Sequence, residues 1–223
     1  MKRNVIIVAG GIGKRMNADI PKQFLLLKGK PVLIHTMHAF YEYDNNINII
    51  TVLPVNYVNY WKQLCHDYSF DIEHEIITGG DTRFVSVQNA LKNISDEGLT
   101  AVHDGIRPFV SQETIKRCFD TAKIYGSALP VIPLKESIRY VNKNESKYLN
   151  RKLYQIVQTP QVFQSRILKE AYVQKFEINF TDDASVVEAK GYKVIITQGN
   201  EENIKITTPL DMKFAEILVN IVE

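Results

Sequence analysis

The sequence has few cysteines, little net charge and no long apolar run. Its two cysteines, Cys65 and Cys118, lie far apart in segments with a helical pattern. This excludes a disulfide framework or a cysteine metal site and predicts a reducing compartment. The formal net charge is only +2 and basic residues are not interleaved with aromatics, so we expect no nucleic-acid partner. No apolar run reaches the length of a membrane span, so we expect no membrane partner.

The apolar segment that follows Lys2 and Arg3 has the beginning of a signal-peptide pattern. Glycines, and then Lys14 and Arg15, interrupt this segment before a cleavage region forms. The sequence therefore predicts a cytoplasmic protein.

Several catalytic motifs are also absent from the sequence. The N-terminal loop has Met16 where the dinucleotide fingerprint GxGxxG requires its third glycine, and it lacks the Gly-Lys-Ser/Thr end of a P-loop. There is no Gly-x-Ser-x-Gly elbow and no cysteine–histidine pairing. Metal spacing is missing among His35, His38, His66 and His74. These absences argue against hydrolase and metalloprotease functions.

What the sequence does contain is an alternation of short apolar runs with longer segments of helical period. The predicted strands are Val5–Ala9, Ile47–Pro54, Ile72–Thr78, Thr100–Asp104, Ala128–Ile132 and Tyr192–Thr197. The predicted helices lie near Val32–Tyr43, Tyr57–Tyr68, Arg83–Ile94, Glu113–Tyr125, Ser165–Phe176 and Leu210–Val222. This pattern predicts an α/β fold: one Rossmann-like domain over residues 1–223, with a mostly parallel twisted sheet and helices on both faces.

Two local patterns add detail to this fold. Thr208, Pro209 and Asp211 have the spacing of an N-cap, a first helical residue and a capping box, which marks the start of the last helix. The segment from about 133 to 157 has two β-prone pieces around a polar centre and predicts a protruding hairpin arm. Such an arm has little to pack against in its own domain, so we expect a partner subunit to cover its apolar residues.

The first candidate site is the loop after the first strand. Gly10, Gly11 and Gly13 let the backbone turn sharply and expose N–H groups to an anion. The cations that follow, Arg15 and Lys22, can converge on one polyphosphate. The alternative is an ordinary strand-to-helix turn with solvated cations.

Two further candidate sites follow later strands. In GGDTRFVSV, glycines 79 and 80 permit close backbone approach, and either Asp81 or Thr82 can cap a helix whose N-terminus suits an anion or a base edge. The alternative is a capped helix without a ligand. In VHDGIRPF, Asp104 stands where a magnesium–phosphate site places its carboxylate, with Arg107 as an anion clamp. The alternative is an Asp104–Arg107 ion pair.

Two nearby residues have weaker signals. His103 precedes Asp104 in the strand and therefore faces the other side of the sheet, which predicts a core histidine rather than a general base. Lys205 precedes the last helix, and spacing alone does not distinguish it from a solvated lysine.

Taken in order, the segments VAGGIGKRMNADIPKQF, GGDTRFVSV, VHDGIRPF, VQTPQVF, FTDDASVVE and ENIKITTPLD resemble the 2-C-methyl-D-erythritol 4-phosphate cytidylyltransferases of the non-mevalonate isoprenoid pathway. The resemblance runs from about Val5 to Leu218. A sister family, the ribitol-5-phosphate cytidylyltransferases, resembles the chain at AGGIG and PVLIHT. The erythritol family is favoured because its motifs span more of the chain.

The resemblance implies a nucleotidyltransferase in which a substrate phosphate attacks the α-phosphorus of CTP and expels pyrophosphate. It implies Arg15 and Lys22 as catalytic residues and Asp104 as the ligand of a Mg²⁺ cofactor. It places CTP at Ala9, Gly10, Gly11, Gly13, Gly80, Asp81 and Ser86. It places the sugar-alcohol phosphate at Arg107, Ser137, Arg151, Thr159 and Lys205. It also implies a homodimer with exchanged arms, in which Arg151 serves the partner's site.

The chain departs from the family pattern at three places. Gly10 stands where many members have alanine, the pair Gly105 and Ile106 replaces two alanines, and Ser137 replaces a threonine. A function of another class, a nucleotide-binding module without catalysis, is the remaining alternative. The retention of five charged residues together, at Arg15, Lys22, Asp104, Arg151 and Lys205, argues against that alternative.

Overall fold

The computed structural model describes residues 1–11 and 20–222, without the side chain of residue 222. Its strands are β1 (Arg3–Val8), β2 (Leu26–Leu27), β3 (Lys30–Pro31), β4 (Asn48–Leu53), β5 (Glu75–Thr78), β6 (Leu99–Asp104), β7 (Ser127–Pro133), β8 (Ile138–Asn142), β9 (Glu145–Leu149), β10 (Gln155–Val157), β11 (Gln161–Gln164) and β12 (Ile196–Gln198). Its α-helices are α1 (Val32–Tyr43), α2 (Val58–Asp67), α3 (Arg83–Leu91), α4 (Gln112–Tyr125), α5 (Ser165–Ala171), α6 (Asp183–Ala189) and α7 (Pro209–Val222). Short 3₁₀ helices span Lys22–Phe24, Val55–Tyr57 and Arg151–Leu153.

The main sheet has the strand order β10-β7-β11-β6-β1-β4-β5, and β12 pairs with β7 at its side. Strands β6, β1, β4 and β5 run parallel to one another. Strand β11 lies antiparallel between β6 and β7, and β10 is antiparallel to β7. The prediction of a mostly parallel sheet is therefore confirmed.

Strand β1 is central and covered on both faces, which explains its unbroken apolar run. Val5 and Ile7 belong to one core cluster, which includes residues of α1, α2 and α4. Ile6 belongs to a second cluster on the other face, which includes residues of α3, α5 and α6. Helices cover both faces of the sheet, as predicted, and burial of each β1 isoleucine stabilises the fold by roughly 1.5–3 kcal/mol.

The observed elements differ from the predicted ones in several places. Strand β12 begins at Ile196 and not at Tyr192, and helix α5 ends at Ala171 and not near Phe176. Strand β11 and helix α6 were not predicted. Both are short, at four and seven residues, so each repeats its apolar period too few times to be recognised in the sequence.

The segment between β7 and β10 contains a hairpin of its own. Among the described residues, strands β8 and β9 pair only with each other, from Ile138 opposite Leu149 to Asn142 opposite Glu145. We call residues 134–154 the hairpin arm. Its exposed apolar side chains include Tyr140, Val141, Tyr148, Leu153 and Tyr154.

Helix α7 begins with the predicted cap. The Asp211 carboxylate accepts hydrogen bonds from the backbone N–H groups of Thr207 and Thr208, and the Thr208 hydroxyl accepts one from the Asp211 N–H. Over the described residues, the helices are all too short or too polar to cross a lipid bilayer.

Candidate active site

A cleft of about 330 Å³ lies at the carboxyl ends of β1, β5 and β6, the edge at which doubly wound sheets bind ligands. We call it the first cleft. Backbone hydrogen bonds tie the loops that leave these strands to neighbouring strands: Ala9 N–H to Val52 O (2.9 Å), Gly79 N–H to Leu53 O (2.8 Å) and Gly105 N–H to Val8 O (2.9 Å). The cleft wall contains many residues that the family resemblance assigned to CTP or to the reaction: Ala9, Gly10, Gly11, Lys22, Gly80, Asp81, Ser86, Asp104 and Lys205.

Lys22 enters the first cleft from a short 3₁₀ helix, Lys22–Phe24. The next residue, Gln23, is buried and donates its side-chain N–H to the carbonyl of Ala9 at 2.6 Å. Phe24 is buried against the aromatic rings of Tyr60 and Trp61. Because its two C-terminal neighbours are fixed in this way, the Lys22 backbone is held beside the end of β1.

The turn from β5 into α3 forms another wall of the first cleft. Thr82 is the N-cap of α3 and accepts a hydrogen bond from the Val85 N–H at 3.1 Å, so the cap is Thr82 and not Asp81. The buried Ser86 hydroxyl donates to the Thr82 carbonyl and accepts from the Gly80 N–H at 3.2 Å. A Cβ at position 80 would lie 2.2 Å from Val85 Cγ1, so the turn requires glycine there.

Two departures from the family pattern have different consequences. A Cβ at Gly10 would lie 3.7 Å from Ser86 Oγ, an ordinary contact. A Cβ at Gly105 would lie 2.9 Å from the Cβ of Ala9 and 3.2 Å from Leu33 Cδ1. Alanine therefore fits at position 10, whereas at position 105 the neighbouring side chains would have to move.

Asp104 is the last residue of β6 and lies among three cations. Lys205 Nζ is 3.0 Å and Arg107 Nε is 3.2 Å from its Oδ2, and Arg83 Nε is 3.7 Å from its Oδ1. Burial alone would raise the pKa of the carboxyl, but the charges of Arg83, Lys205 and Arg107 outweigh it and hold this pKa well below its usual range. The Asp104–Arg107 ion pair considered as an alternative is thus present, and Lys205 is a partner of Asp104 and not simply solvated.

A second cleft of about 280 Å³ adjoins the first. Both clefts are lined by Arg83, Asp104 and Lys205, and the second is also lined by Arg107 and Thr159. The two clefts therefore meet at one carboxylate and two cations.

Behind this junction lies a chain of buried hydrogen bonds. The Thr159 hydroxyl accepts from the Asp104 N–H at 3.1 Å and lies 3.1 Å from His103 Nδ1, while His103 Nε2 lies 3.0 Å from the Arg107 carbonyl. A carbonyl only accepts, so Nε2 carries the proton and Nδ1 accepts from Thr159 in the neutral ring. Burial lowers the pKa of His103 to about 4. The prediction of a core histidine is confirmed, and the Thr159 hydroxyl is engaged inside the fold.

Other predicted site residues lie elsewhere. Ser137 and Arg151 are both exposed in the hairpin arm, where Arg151 donates to the Lys135 carbonyl, and neither lines the two clefts. Gly13 and Arg15 lie outside the described residues.

The sequence did not single out Arg83 or Asp183 as site residues. The Arg83 guanidinium donates two hydrogen bonds to the Asp183 carboxylate, at 2.9 and 2.6 Å. Both residues lie inside quoted motifs, GGDTRFVSV and FTDDASVVE. They are 100 residues apart in the chain, however, and no local spacing indicates that they meet.

The donor set at Asp104 is compatible with Mg²⁺. Magnesium in nucleotide sites commonly takes one or two carboxylates and completes its shell with phosphate oxygens and water. In the described part of the chain, no group of three or more His, Cys, Asp or Glu side chains could hold a metal. The single Asp104 carboxylate at the junction of the clefts therefore fits a metal that is bound mainly by a nucleotide.

The chain is similar to proteins of known name in both sequence and structure. The family model described as "IspD: 2-C-methyl-D-erythritol 4-phosphate cytidylyltransferase" matches residues 4–221. The chain is 54% identical over 219 residues to the 2-C-methyl-D-erythritol 4-phosphate cytidylyltransferase of Phocaeicola vulgatus, covering 98% of this chain and 100% of that one. Its identity to the protein of that name from Bacteroides thetaiotaomicron is 51%, with the same coverage.

Solved structures of similar proteins agree with this match. The crystal structure of the 2-C-methyl-D-erythritol 4-phosphate cytidylyltransferase from Thermus thermophilus superimposes with a TM-score of 0.80 at 30% identity, covering 99% of this chain and 100% of that chain. The Francisella tularensis protein of that name gives a TM-score of 0.80 at 31% identity, covering 97% and 99% of the two chains.

Proposed function

Because the chain belongs to the 2-C-methyl-D-erythritol 4-phosphate cytidylyltransferase family, we propose that its first cleft binds CTP and its second cleft binds the phosphate of methylerythritol phosphate. As a member of this family the chain is a nucleotidyltransferase. The observation that carries the assignment of the clefts is their shared wall, made of Arg83, Asp104 and Lys205. Ligands bound in the two clefts would meet there.

The reaction joins two anions, so the main requirement is to hold them together and to absorb negative charge in the transition state. Lys22 faces the first cleft, Arg107 the second, and Lys205 faces both. Arg15 completes this set as the second catalytic cation by family resemblance. A substrate phosphate is already ionised at neutral pH, so its oxygen attacks the α-phosphorus of CTP without a general base. His103 could not supply one, because it is buried, neutral and hydrogen-bonded at both ring nitrogens.

We assign the cytidine part of CTP to the turn before α3. Gly80, Asp81 and Ser86 line the first cleft there, and the backbone of Ala9, Gly10 and Gly11 lines the opposite side. By family resemblance we also assign Gly13 to CTP.

We further propose that Asp104 holds Mg²⁺ together with the CTP phosphates. When bound, the metal neutralises phosphate charge and orients the α-phosphate. The same carboxylate keeps Lys205 and Arg107 close to the junction of the clefts through its ion pairs.

The hairpin arm supports a homodimer as the working form. Ser137 and Arg151 lie outside both clefts of their own chain, and the exposed apolar residues of the arm need a cover. We propose that each arm packs on the partner subunit and brings Arg151 to the partner's second cleft.

We place the enzyme in the cytoplasm, which agrees with two cysteines that are both free thiols.

The function is tested by pyrophosphate release from CTP and Mg²⁺ with the purified protein. Methylerythritol phosphate and ribitol phosphate are compared as acceptors at equal concentration. We expect turnover with the first, and a preference for ribitol phosphate would move the chain to the sister activity. CTP binding without turnover on either acceptor would favour a non-catalytic module.

Lys22→Ala tests the catalytic role of the lysine. Because Lys22 is proposed to bind charge that develops in the transition state, kcat should fall by about 100-fold or more while the Kd for CTP changes far less. Steady-state kinetics and calorimetric CTP titration give the two quantities. Lys62→Ala, an exposed change on α2, is the control. Equal losses in kcat and CTP affinity would show that Lys22 only binds the nucleotide.

A further inference from the structure

Arg83 lies between the carboxylates of Asp183 and Asp104, and different nitrogens of its guanidinium face each of them. Its terminal nitrogens Nη1 and Nη2 donate to Oδ1 and Oδ2 of Asp183 at 2.9 and 2.6 Å. Its Nε is 3.7 Å from Oδ1 of Asp104, beyond hydrogen-bond distance. Arg83 lines both clefts, but its two terminal nitrogens donate to Asp183, which lines neither.

Asp183 is built into the fold as a fixed acceptor. It is the first residue of α6 and is completely buried. The Tyr172 hydroxyl also donates to its Oδ1 at 2.6 Å, and Tyr172 is itself buried. Burial alone would lower the pKa of Arg83, but Asp183 outweighs burial and raises it, so the guanidinium stays charged. A bidentate pair of this kind fixes the plane of the guanidinium as well as its position.

The surroundings of Asp104 show why this orientation matters. Oδ2 of Asp104 already accepts from Arg107 and Lys205. Oδ1 is the oxygen that faces Arg83. Because Nε is already 3.7 Å from Oδ1, a guanidinium released from Asp183 would lie close enough to turn its donors toward this oxygen. Such a contact would occupy the oxygen that a metal ion requires.

We propose that Asp183 is a positioning residue for the transfer reaction: it holds the terminal nitrogens of Arg83 away from Asp104 and so keeps Oδ1 of Asp104 open to the nucleotide-bound metal. This inference rests on the proposed function, in which Asp104 is the metal ligand. It assigns the Arg83–Asp183 pair a role in metal affinity and in kcat beyond its contribution to stability.

The test uses Mn²⁺ as a paramagnetic probe of the metal site in the intact protein. Mn²⁺ is titrated into the protein with saturating CTP, and water-proton relaxation reports binding without any turnover. Asp183→Asn removes the charge and keeps the shape. We expect Mn²⁺ to bind about tenfold more weakly and kcat to fall by a similar factor, with a smaller change in the KM for methylerythritol phosphate.

A double variant separates positioning from structure. In Arg83→Gln/Asp183→Asn, the side chain released from Asp183 is no longer a cation, so it does not compete for Asp104. Mn²⁺ affinity should therefore recover toward the wild-type value. A double variant that binds Mn²⁺ as weakly as Asp183→Asn, or more weakly, would overturn the proposal, as would Asp183→Asn with unchanged Mn²⁺ affinity.

Two further variants complete the design. Asp44→Asn breaks another arginine–aspartate pair, Arg3–Asp44 at 2.7 Å, at the opposite end of β1, and should lower stability without changing Mn²⁺ binding. Tyr172→Phe removes one hydrogen bond from Asp183 and should weaken Mn²⁺ binding about two- to threefold. This milder change keeps the test available if Asp183→Asn does not fold. Unchanged Mn²⁺ affinity in a folded Tyr172→Phe protein would count against the proposal. Absence of wild-type turnover on methylerythritol phosphate would refute the proposed function. The Mn²⁺ titrations need no turnover, so they test the role of Asp183 separately.

Discussion

At the scale of single residues, His103 connects the stability of the fold to the geometry of the candidate site. Its ring lies between the Thr159 hydroxyl and the Arg107 carbonyl, and it packs edge-on against Phe40. The ring is therefore neutral in the folded protein. An unfolded chain places the same ring in water, where its pKa returns to about 6.5.

This difference predicts a pH dependence of stability. Burial lowers the pKa of His103 to about 4, so between about pH 6.5 and 4 the unfolded chain binds a proton that the folded protein does not. The free energy of unfolding should fall as the pH is lowered through this window, by up to about 1.4 kcal/mol per pH unit from this group.

Urea unfolding of the wild type and of His103→Gln across this range provides the measurement. Glutamine keeps one donor and one acceptor but does not titrate, so the variant should show the shallower slope. His38 and His74, whose pKa values burial also lowers, contribute equally to both proteins. Parallel slopes would show that His103 is not responsible.

At the scale of elements, the start of α7 is held by one carboxylate. Asp211 Oδ2 accepts from the Thr207 N–H and hydroxyl and from the Thr208 N–H, at 2.7 to 2.8 Å. Burial would raise the pKa of Asp211, but these hydrogen bonds outweigh it and lower the pKa. The carboxylate is thus ionised throughout the neutral range and satisfies backbone donors that the helix leaves unpaired.

Asp211→Ala removes these acceptors together. We expect the free energy of unfolding to fall by roughly 1–2 kcal/mol, the usual cost of losing a helix cap. Urea denaturation measures the loss, and Glu216→Ala, an exposed change on the same helix, should stay within about 0.5 kcal/mol of the wild type. If both variants lose equal stability, the cap is not the cause.

Elements with a strong local pattern could be predicted, and elements defined by distant partners could not. Helix α1 has the predicted bounds, Val32–Tyr43, and the Thr208–Asp211 cap was readable because its signals lie within four residues. Strand β11 has four residues, and its place depends on antiparallel register with β6 and β7. In the same way, Asp104 was identified from its strand end, whereas the Arg83–Asp183 pair depends on the tertiary fold that brings the starts of α3 and α6 together.

At the scale of the whole molecule, the hairpin arm exposes several large apolar side chains. Val141, Tyr148 and Leu153 are 72%, 69% and 78% exposed. Within the part of the chain that the structure describes, the arm strands pair only with each other. Two-stranded hairpins are marginally stable alone. A partner subunit would supply the missing packing.

Replacing residues 138–149 with a short Gly/Ser linker should convert a dimer into a monomer. Sedimentation equilibrium measures the mass, and calorimetry should show unchanged CTP affinity, because the residues of the first cleft lie outside the arm. Turnover should fall sharply, since Arg151 would no longer reach a partner's cleft. Arg151→Ala with the arm intact should lose turnover and stay dimeric. A wild-type protein that sediments as a monomer would contradict the arrangement.

The ends of the hairpin arm meet at one place on the sheet. Pro133 at the end of β7 lies directly opposite Gln155 at the start of β10, and Val131 lies opposite Val157. The chain therefore leaves and re-enters the sheet at adjacent positions, and the arm is a side branch of the main path. Insertions or deletions within it need not displace the strands that carry the clefts. Changes in the length of the arm can therefore alter the surface that it presents without displacing the residues that line the two clefts.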